Sequence, residues 1–252
     1  MIEDLLIVAA GMGTRLKAKG DLKPLVELQG KPLIEHALEA AFAAGLSRAT
    51  VVVGYNAHIL CDFIDKLAQA RGWSVNVIEN PDYQLANGLS VLKAKGHLRG
   101  PFCLAMCDHY VEPSIYRKLL ALPPKPYQVA LAVDRRLDNP YVDLEDVTKV
   151  RLSGDKILSI GKDLNVFNGY DTGVFAAGPA LFDSIEAYSK QEGDFSISGG
   201  IEYLAQLGKA IAVDVGDSFW VDVDCPRMHA LADDWLSINR SEAASKLAGQ
   251  RV

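Results

Sequence analysis

The sequence contains no run of 18 apolar residues, so nothing in it reads as a helix that crosses a lipid bilayer. Residues 1–10 carry Glu3 and Asp4 where a secretory leader would place positive charge. The expectation is a soluble, cytoplasmic protein without direct membrane insertion. Cysteine is scarce: Cys61, Cys103, Cys107 and Cys225 show no zinc-binding spacing. Cys103 and Cys107 fall on one predicted strand, ~13 Å apart at the rise of a strand, too far for a disulfide or a shared metal. They read as small buried hydrophobes in a reducing compartment. Basic residues are outnumbered, 26 against 32 acidic, for a formal charge of −6. That balance argues against a nucleic-acid partner while leaving room for a local anion pocket. No internal period and no long Gly/Ser/Pro linker divides the chain. What is present, 252 residues with 49% apolar and 23% charged, suits one globular domain with a sizeable core, or one domain with a small appendage.

Strand and helix signals alternate through the first half. Leu5 to Ala9 is a continuous apolar run ended by glycines, as in a strand covered on both faces. After Pro32, Leu33, Ile34, Ala37, Leu38, Ala41 and Phe42 recur at helical spacing up to a stop at Gly45. A strand over Thr50–Val53, a helix ending near Gly72, a strand over Trp73–Ile78, a helix over about Gly88–His97 and a buried strand over Phe102–Cys107 follow. A short helix begins at Pro113. This order predicts right-handed crossovers and a largely parallel sheet. In the second half, Val147–Leu152 and Lys156–Ile160 flank Ser153-Gly154-Asp155 as a hairpin. Tyr170–Ala176 reads as a strand, Pro179–Ser189 and Ile197–Leu207 as helices, Lys209–Val215 and Trp220–Val223 as strands, and a last helix starts at Pro226. The predicted fold is α/β: a Rossmann-like, mostly parallel mixed sheet with a β-rich insertion over its mouth.

Gly11 and Gly13 follow the first strand, where bare backbone can curl its amides around a phosphate. The surrounding run is Ala9-Ala10-Gly11-Met12-Gly13-Thr14-Arg15-Leu16, with Lys23-Pro24-Leu25 soon after. It is neither a dinucleotide fingerprint, since Leu16 replaces the third glycine, nor a P-loop, since no Gly-Lys-Ser/Thr follows. Arg15 and Lys23 supply the charge instead, one as a fork and the other as a point charge. Asp108 comes directly after a buried strand, at the sheet edge above the same loop. Alternation in Trp220-Val221-Asp222-Val223-Asp224 places both aspartates on one face, where two carboxylates repel unless a cation intervenes or one is protonated. Mg²⁺ resolves that conflict. The bland reading of Asp108, a turn residue capping the helix after Pro113, stands beside the metal reading.

Together these motifs resemble the nucleotidylyltransferases that join nucleoside triphosphates to phosphorylated small molecules, a MobA-like group whose fold is of the nucleotide-diphospho-sugar transferase type. Within them the sequence is most similar to the inositol-1-phosphate cytidylyltransferase type. The narrower likeness rests on Asn87-Gly88-Leu89-Ser90-Val91-Leu92-Lys93-Ala94-Lys95, Cys107-Asp108-His109, Thr148-Lys149-Val150, Ile160-Gly161-Lys162-Asp163-Leu164, Asp171-Thr172-Gly173-Val174-Phe175 and the late Trp-x-Asp-x-Asp. It covers about Leu5 to Leu236. Cys107 stands where glycine is expected and Cys225 where threonine is.

The resemblance implies transfer of CMP from CTP to a phosphorylated alcohol, with release of pyrophosphate. It implies a single domain over 1–252, with a nucleotide-binding half at about 1–113, an acceptor half at about 114–225 and a C-terminal helix over 226–252. Ala9, Ala10, Gly11, Gly13 and Thr14 would cradle the triphosphate with Arg15 and Lys23. Asn87, Gly88 and Ser90 would approach the base, although helix capping explains them nearly as well. Asp108 and Asp224, with Asp222 as an alternative, would hold Mg²⁺. Lys162 would take the acceptor phosphate, and His109, Asp134, Arg135 and Asp171 the acceptor itself. Some relatives carry a membrane-embedded domain that consumes the product; for this chain the expectation is a separate membrane CDP-alcohol phosphotransferase, or another acceptor. Phosphocholine, an aminoalkylphosphonate or a sugar 1-phosphate are the alternatives, and a cationic acceptor would favour a box built from Tyr110, Tyr141 and Trp220. A nucleotide-binding regulatory subunit without catalysis is a further reading, and an oligomer is compatible with all of them.

Overall fold

A computed structural model describes residues 2–98 and 100–249. The first strand, β1 (Asp4–Ala9), leads through the glycine turn into two 3-10 turns, Thr14–Lys19 and Lys23–Leu25. There follow β2 (Glu27–Leu28), β3 (Lys31–Pro32), α1 (Leu33–Ala43), β4 (Arg48–Val53), α2 (Ala57–Arg71) and β5 (Ser74–Glu79). Next come α3 (Gly88–Lys93), β6 (Phe102–Met106), β7 (His109–Val111) and α4 (Pro113–Ala121). The second half holds β8 (Val129–Asp134), β9 (Lys149–Ser153), β10 (Lys156–Gly161), β11 (Gly169–Ala177), α5 (Pro179–Glu192) and α6 (Ile197–Gln206). It ends with β12 (Ala210–Asp214), β13 (Trp220–Asp222) and α7 (Pro226–Gly249). The predicted C-terminal helix extends over 226–252, of which 250–252 lie outside the described residues.

Among the described residues nine strands form one sheet in the order β5-β4-β1-β6-β11-β8-β12-β10-β9. The β5-β4-β1-β6 half is parallel, as the βαβ alternation predicts. The other half is mixed: β11 runs antiparallel to both β6 and β8, and β12 is parallel to β8 but antiparallel to β10. Two expectations change. The strand at β8 has no counterpart in the sequence reading, yet its six residues are all buried beside β11. The helix expected over Gly88–His97 is helical only to Lys93, and the residues from Ala94 to His97 form turns.

Alternation along β1 divides the core. Leu5, Ile7 and Ala9 pack with Ile34, Leu38, Leu60, Ile64, Ile115 and Leu119 on the face covered by α1, α2 and α4. Leu6 and Val8 pack with Val91, Phe182, Ile185 and Ile201 under α3, α5 and α6. A third cluster matters most for the site. Phe219, Val221 and Val223 join Leu16, Val26, Leu28 and the α7 residues Met228, Ala232 and Leu236. The period of two then sends Trp220, Asp222 and Asp224 the opposite way. Among the described residues no helix is long and apolar enough to cross a membrane.

Candidate active site

The glycine turn, the end of β6 and the late acidic strand converge at the carboxyl edge of β1 and β6. β7 pairs antiparallel with β13, setting His109 opposite Asp222, and the Val223 amide donates to the Asp108 carbonyl at 2.9 Å. Segments more than a hundred residues apart in sequence are thereby fixed side by side. Arg15, Lys23, Asn87, Asp108, His109, Asp146, Lys162, Asp171 and Asp222 line one cleft of about 280 Å³.

Gly13 has a φ of +58°, and a Cβ there would overlap the Lys23 side chain. A left-handed glycine therefore lets Lys23 cross the turn and reach Asp108, Nζ to Oδ2 at 2.6 Å. Burial works against the Lys23 charge, but Asp108 and Asp222 outweigh it and its pKa rises. Burial likewise opposes the Asp108 charge; Lys23 and His109 prevail and lower its pKa to about 2. Ala9 and Ala10 are buried beneath the turn, whereas Gly11 and Thr14 face solvent.

Asp146 emerges as the hub of the outer site. Its Oδ2 lies 2.8 Å from Arg15 Nη2 and its Oδ1 2.6 Å from Lys162 Nζ. Arg15 Nη2 also lies 2.9 Å from Asp224 Oδ2, as an ion pair without hydrogen-bond alignment. Against the opposing effect of burial, Arg15 and Lys162 hold Asp146 well below the usual carboxylate range. The sequence reading missed this residue. Its only local signal is an acidic turn, Asp143-Leu144-Glu145-Asp146, just before the Thr148-Lys149-Val150 motif.

His109 Nε2 lies 3.2 Å from Asp222 Oδ2. Burial opposes its charge, yet Asp222 and Asp108 raise its pKa to about 9. Gly173, with φ +75°, leaves room for the His109 ring, which a Cβ would overlap. Asp171 accepts from the Gly173 amide at 2.7 Å, and burial raises its pKa to about 6. Beside the cleft, His109, Asp171, Thr148, Lys162 and Trp220 wall a smaller recess of about 80 Å³.

The donor set also suits a hard divalent cation. Asp146, Asp222 and Asp224 each offer an oxygen within 4.8 Å of the others, as do Asp108, His109 and Asp222 with one ligand atom each. Oδ1 of Asp222 and Oδ1 of Asp224 are buried atoms without a hydrogen-bond partner. Burial and Asp222 raise the Asp224 pKa. Carboxylate oxygens held dry and unpaired at such spacing fit Mg²⁺ coordination.

Other predicted positions lie elsewhere. Asp134 is 0% exposed and is bound by Arg136, Asn139 and Trp220 Nε1, so it braces β8 against β13. Arg135 turns outward to Gly154, Asp155 and Asp214 around the hairpin. Neither lines the cleft, because the residue that ends β8 points inward and its successor points away. Ser90 is buried, its hydroxyl accepting from Asn80, and Gly88 is covered by the Phe195 carbonyl. Asn87 reaches the cleft margin, where its Oδ1 accepts from the Ile197 amide. The three aromatics considered do not all meet: Tyr141 and Trp220 border the smaller recess, whereas Tyr110 packs away from it against Phe219 and Trp235. Cys107 and Cys225 are both free thiols, and burial pushes the Cys107 pKa up.

Comparison with known proteins places this site in context. Residues 5–205 match the MobA-like NTP transferase domain. The bifunctional IPC transferase and DIPP synthase of Rubrobacter xylanophilus is 34% identical over 235 residues, 91% of this chain and 51% of that protein. Its namesake from Aquifex aeolicus is 28% identical, over 90% and 50%. The chain thus spans about half the length of the curated relatives it matches. The solved inositol-1-phosphate CTP transferase from T. maritima superposes with a TM-score of 0.79 at 25% identity, covering 92% of this chain and 95% of that one. With four fifths of its length matching one domain and the same fold present in such a relative, the chain belongs to the MobA-like NTP transferase family.

Proposed function

We propose that this chain is a CTP:inositol-1-phosphate cytidylyltransferase, which transfers CMP from CTP to inositol 1-phosphate and releases pyrophosphate. The observation that carries the reading is the meeting of Arg15 and Lys162 across a single carboxylate, in a cleft that also holds the Lys23–Asp108 pair. Two cation sets facing each other suit a reaction that must bring two polyanions into line. Cytosine and inositol come from kinship with the IPC transferases and the T. maritima CTP transferase.

In this reading a phosphate oxygen of the acceptor attacks the α-phosphorus of CTP, the bond to the β-phosphate oxygen breaks, and pyrophosphate departs. Arg15, Lys23 and the backbone of Gly11 to Thr14 bind the triphosphate and stabilise the charge that grows on pyrophosphate. Lys162 binds the acceptor phosphate. Asp171 and His109, at the wall of the recess, take the polyol hydroxyls, an ionised carboxyl accepting and a protonated imidazole donating. Asp222, shared by both groups of ligand atoms, would hold Mg²⁺ together with Asp224 or with Asp108, and the ion when bound would neutralise phosphate charge and polarise the α-phosphoryl group. A CDP-alcohol phosphotransferase is the class of enzyme that would consume the CDP-inositol formed.

The test is pyrophosphate release and product mass from the purified chain with CTP, Mg²⁺ and inositol 1-phosphate, run beside phosphocholine, 2-aminoethylphosphonate and glucose 1-phosphate. Turnover strongest with inositol 1-phosphate is expected. Turnover confined to another acceptor overturns the substrate assignment, and none with any acceptor overturns the enzymatic reading.

A further inference from the structure

We propose that Asp146 is an internal stand-in for phosphate: a positioning residue that holds Arg15 and Lys162 at a working separation and yields them when substrate phosphates arrive. The inference rests on the nucleotidyl-transfer reading above and names how that site is kept ready. Each oxygen of this one carboxylate serves a different cation, Oδ2 taking Arg15 at 2.8 Å and Oδ1 taking Lys162 at 2.6 Å. The two cationic side chains are 55% and 54% exposed. Long charged side chains at that exposure sample many rotamers unless an anion fixes them. A phosphoryl group offers what Asp146 offers, anionic oxygens a short distance apart that each accept a charge-assisted bond.

Electrostatics supply the release. Asp146, Asp222 and Asp224 crowd within 4.8 Å, and Arg15 reaches both Asp146 and Asp224. A triphosphate that recruits Arg15 removes that neutralisation and adds negative charge beside Asp146, so the carboxylate is repelled as its partner is taken. Asp146 lies in residues 135–148, which connect β8 to β9 without helix or strand. Asp143 in the same turn pairs with Arg227 at 3.0 Å, so cations that border the outer cavity fasten this turn at two points. Because Asp146 bridges the nucleotide cation and the acceptor cation, full release requires both substrates.

Calorimetry on the metal-free protein with inorganic pyrophosphate tests this directly. Asp146→Asn should bind pyrophosphate at least five-fold tighter than wild type, since the internal competitor has lost its charge. In steady state with Mg²⁺, the same variant should show a lower KM for CTP together with a kcat reduced ten-fold or more. A residue with a purely structural role would weaken binding instead. Asp146→Ser, checked by circular dichroism, should behave as Asp146→Asn and guards against a variant-specific folding defect. Unchanged or weaker pyrophosphate binding in both variants overturns the proposal. So does loss of Mg²⁺ affinity without any gain for pyrophosphate, which would assign Asp146 to the cation. Pyrophosphate is common to every nucleotidyl transfer, so a wild type that binds it but turns over no acceptor fails the proposed function alone, whereas absence of binding by all three proteins overturns both.

Discussion

His109 and Asp222 stand opposite each other across the β7–β13 pairing, and their side chains approach to 3.2 Å. The ladder that joins the two acidic stretches thus also places an imidazole against a carboxylate, and this pair carries a pH signature. The folded-state pKa of His109 is about 9, above the 6.5 of an unperturbed histidine. A raised histidine pKa means that the folded state binds the proton more tightly. The stabilisation is therefore complete below pH 6.5 and is lost as pH rises through 9. In EDTA-treated protein the melting temperature should fall between pH 7 and 9.5, by an amount worth up to about 3 kcal/mol. His109→Gln should flatten that slope. An equal decline in both proteins would remove the pair as its cause.

Gly13 is expected to be intolerant of any side chain. An alanine there would carry a strained positive φ and a Cβ inside the space of Lys23. Gly13→Ala should cost about 1–3 kcal/mol of stability from backbone strain. It should also displace Lys23 from Asp108 and lower kcat/KM for CTP at least ten-fold. Melting curves and pyrophosphate-release kinetics check both parts, and wild-type kinetics would show that the lysine reaches its place by another route.

Asp134 should behave as a structural carboxylate. It receives bonds from Arg136, Asn139 and Trp220, and those bonds hold it in the charged form against the cost of burial. Asp134→Ala leaves buried donors unpaired and should destabilise by about 3–5 kcal/mol. Any effect on kinetics should then follow the folded fraction in urea titrations. A stable variant with a raised KM for the acceptor alone would return Asp134 to the binding site.

How far the sequence revealed the site follows from the range of the interactions. The glycine turn, Lys23, Asp108 and the paired aspartates lie at the ends of strands, where local patterning fixes which way each side chain points. The third hydrophobic cluster makes the last case explicit: the inward valines force Asp222 and Asp224 outward. Asp146 was hidden because its partners are 131 and 16 residues away and its own segment has no period. Asp138, Asp143 and Glu145 nearby are alike in chemistry, so nothing local singles it out. Strand β8 was missed for a related reason. A continuous apolar run of five residues, Val129 to Val133, carries no alternation to distinguish strand from buried helix.

Lys162 offers the clearest separation of acceptor from nucleotide binding. It follows β10, and its Nζ engages Asp146 rather than the Lys23–Asp108 pair. Removing its charge should therefore leave the inner phosphate grip intact. Lys162→Ala should raise the KM for the phosphorylated acceptor about ten- to hundred-fold, the loss of one charge-assisted contact, with the KM for CTP changed less than three-fold. Folding should hold, because the side chain is largely exposed and an exposed ion pair contributes little to stability. Lys162→Arg should recover part of the acceptor affinity, because it restores charge but not the compact geometry of an ammonium. Initial rates over a grid of both substrates distinguish the outcomes, and a defect confined to CTP would place Lys162 on the triphosphate instead.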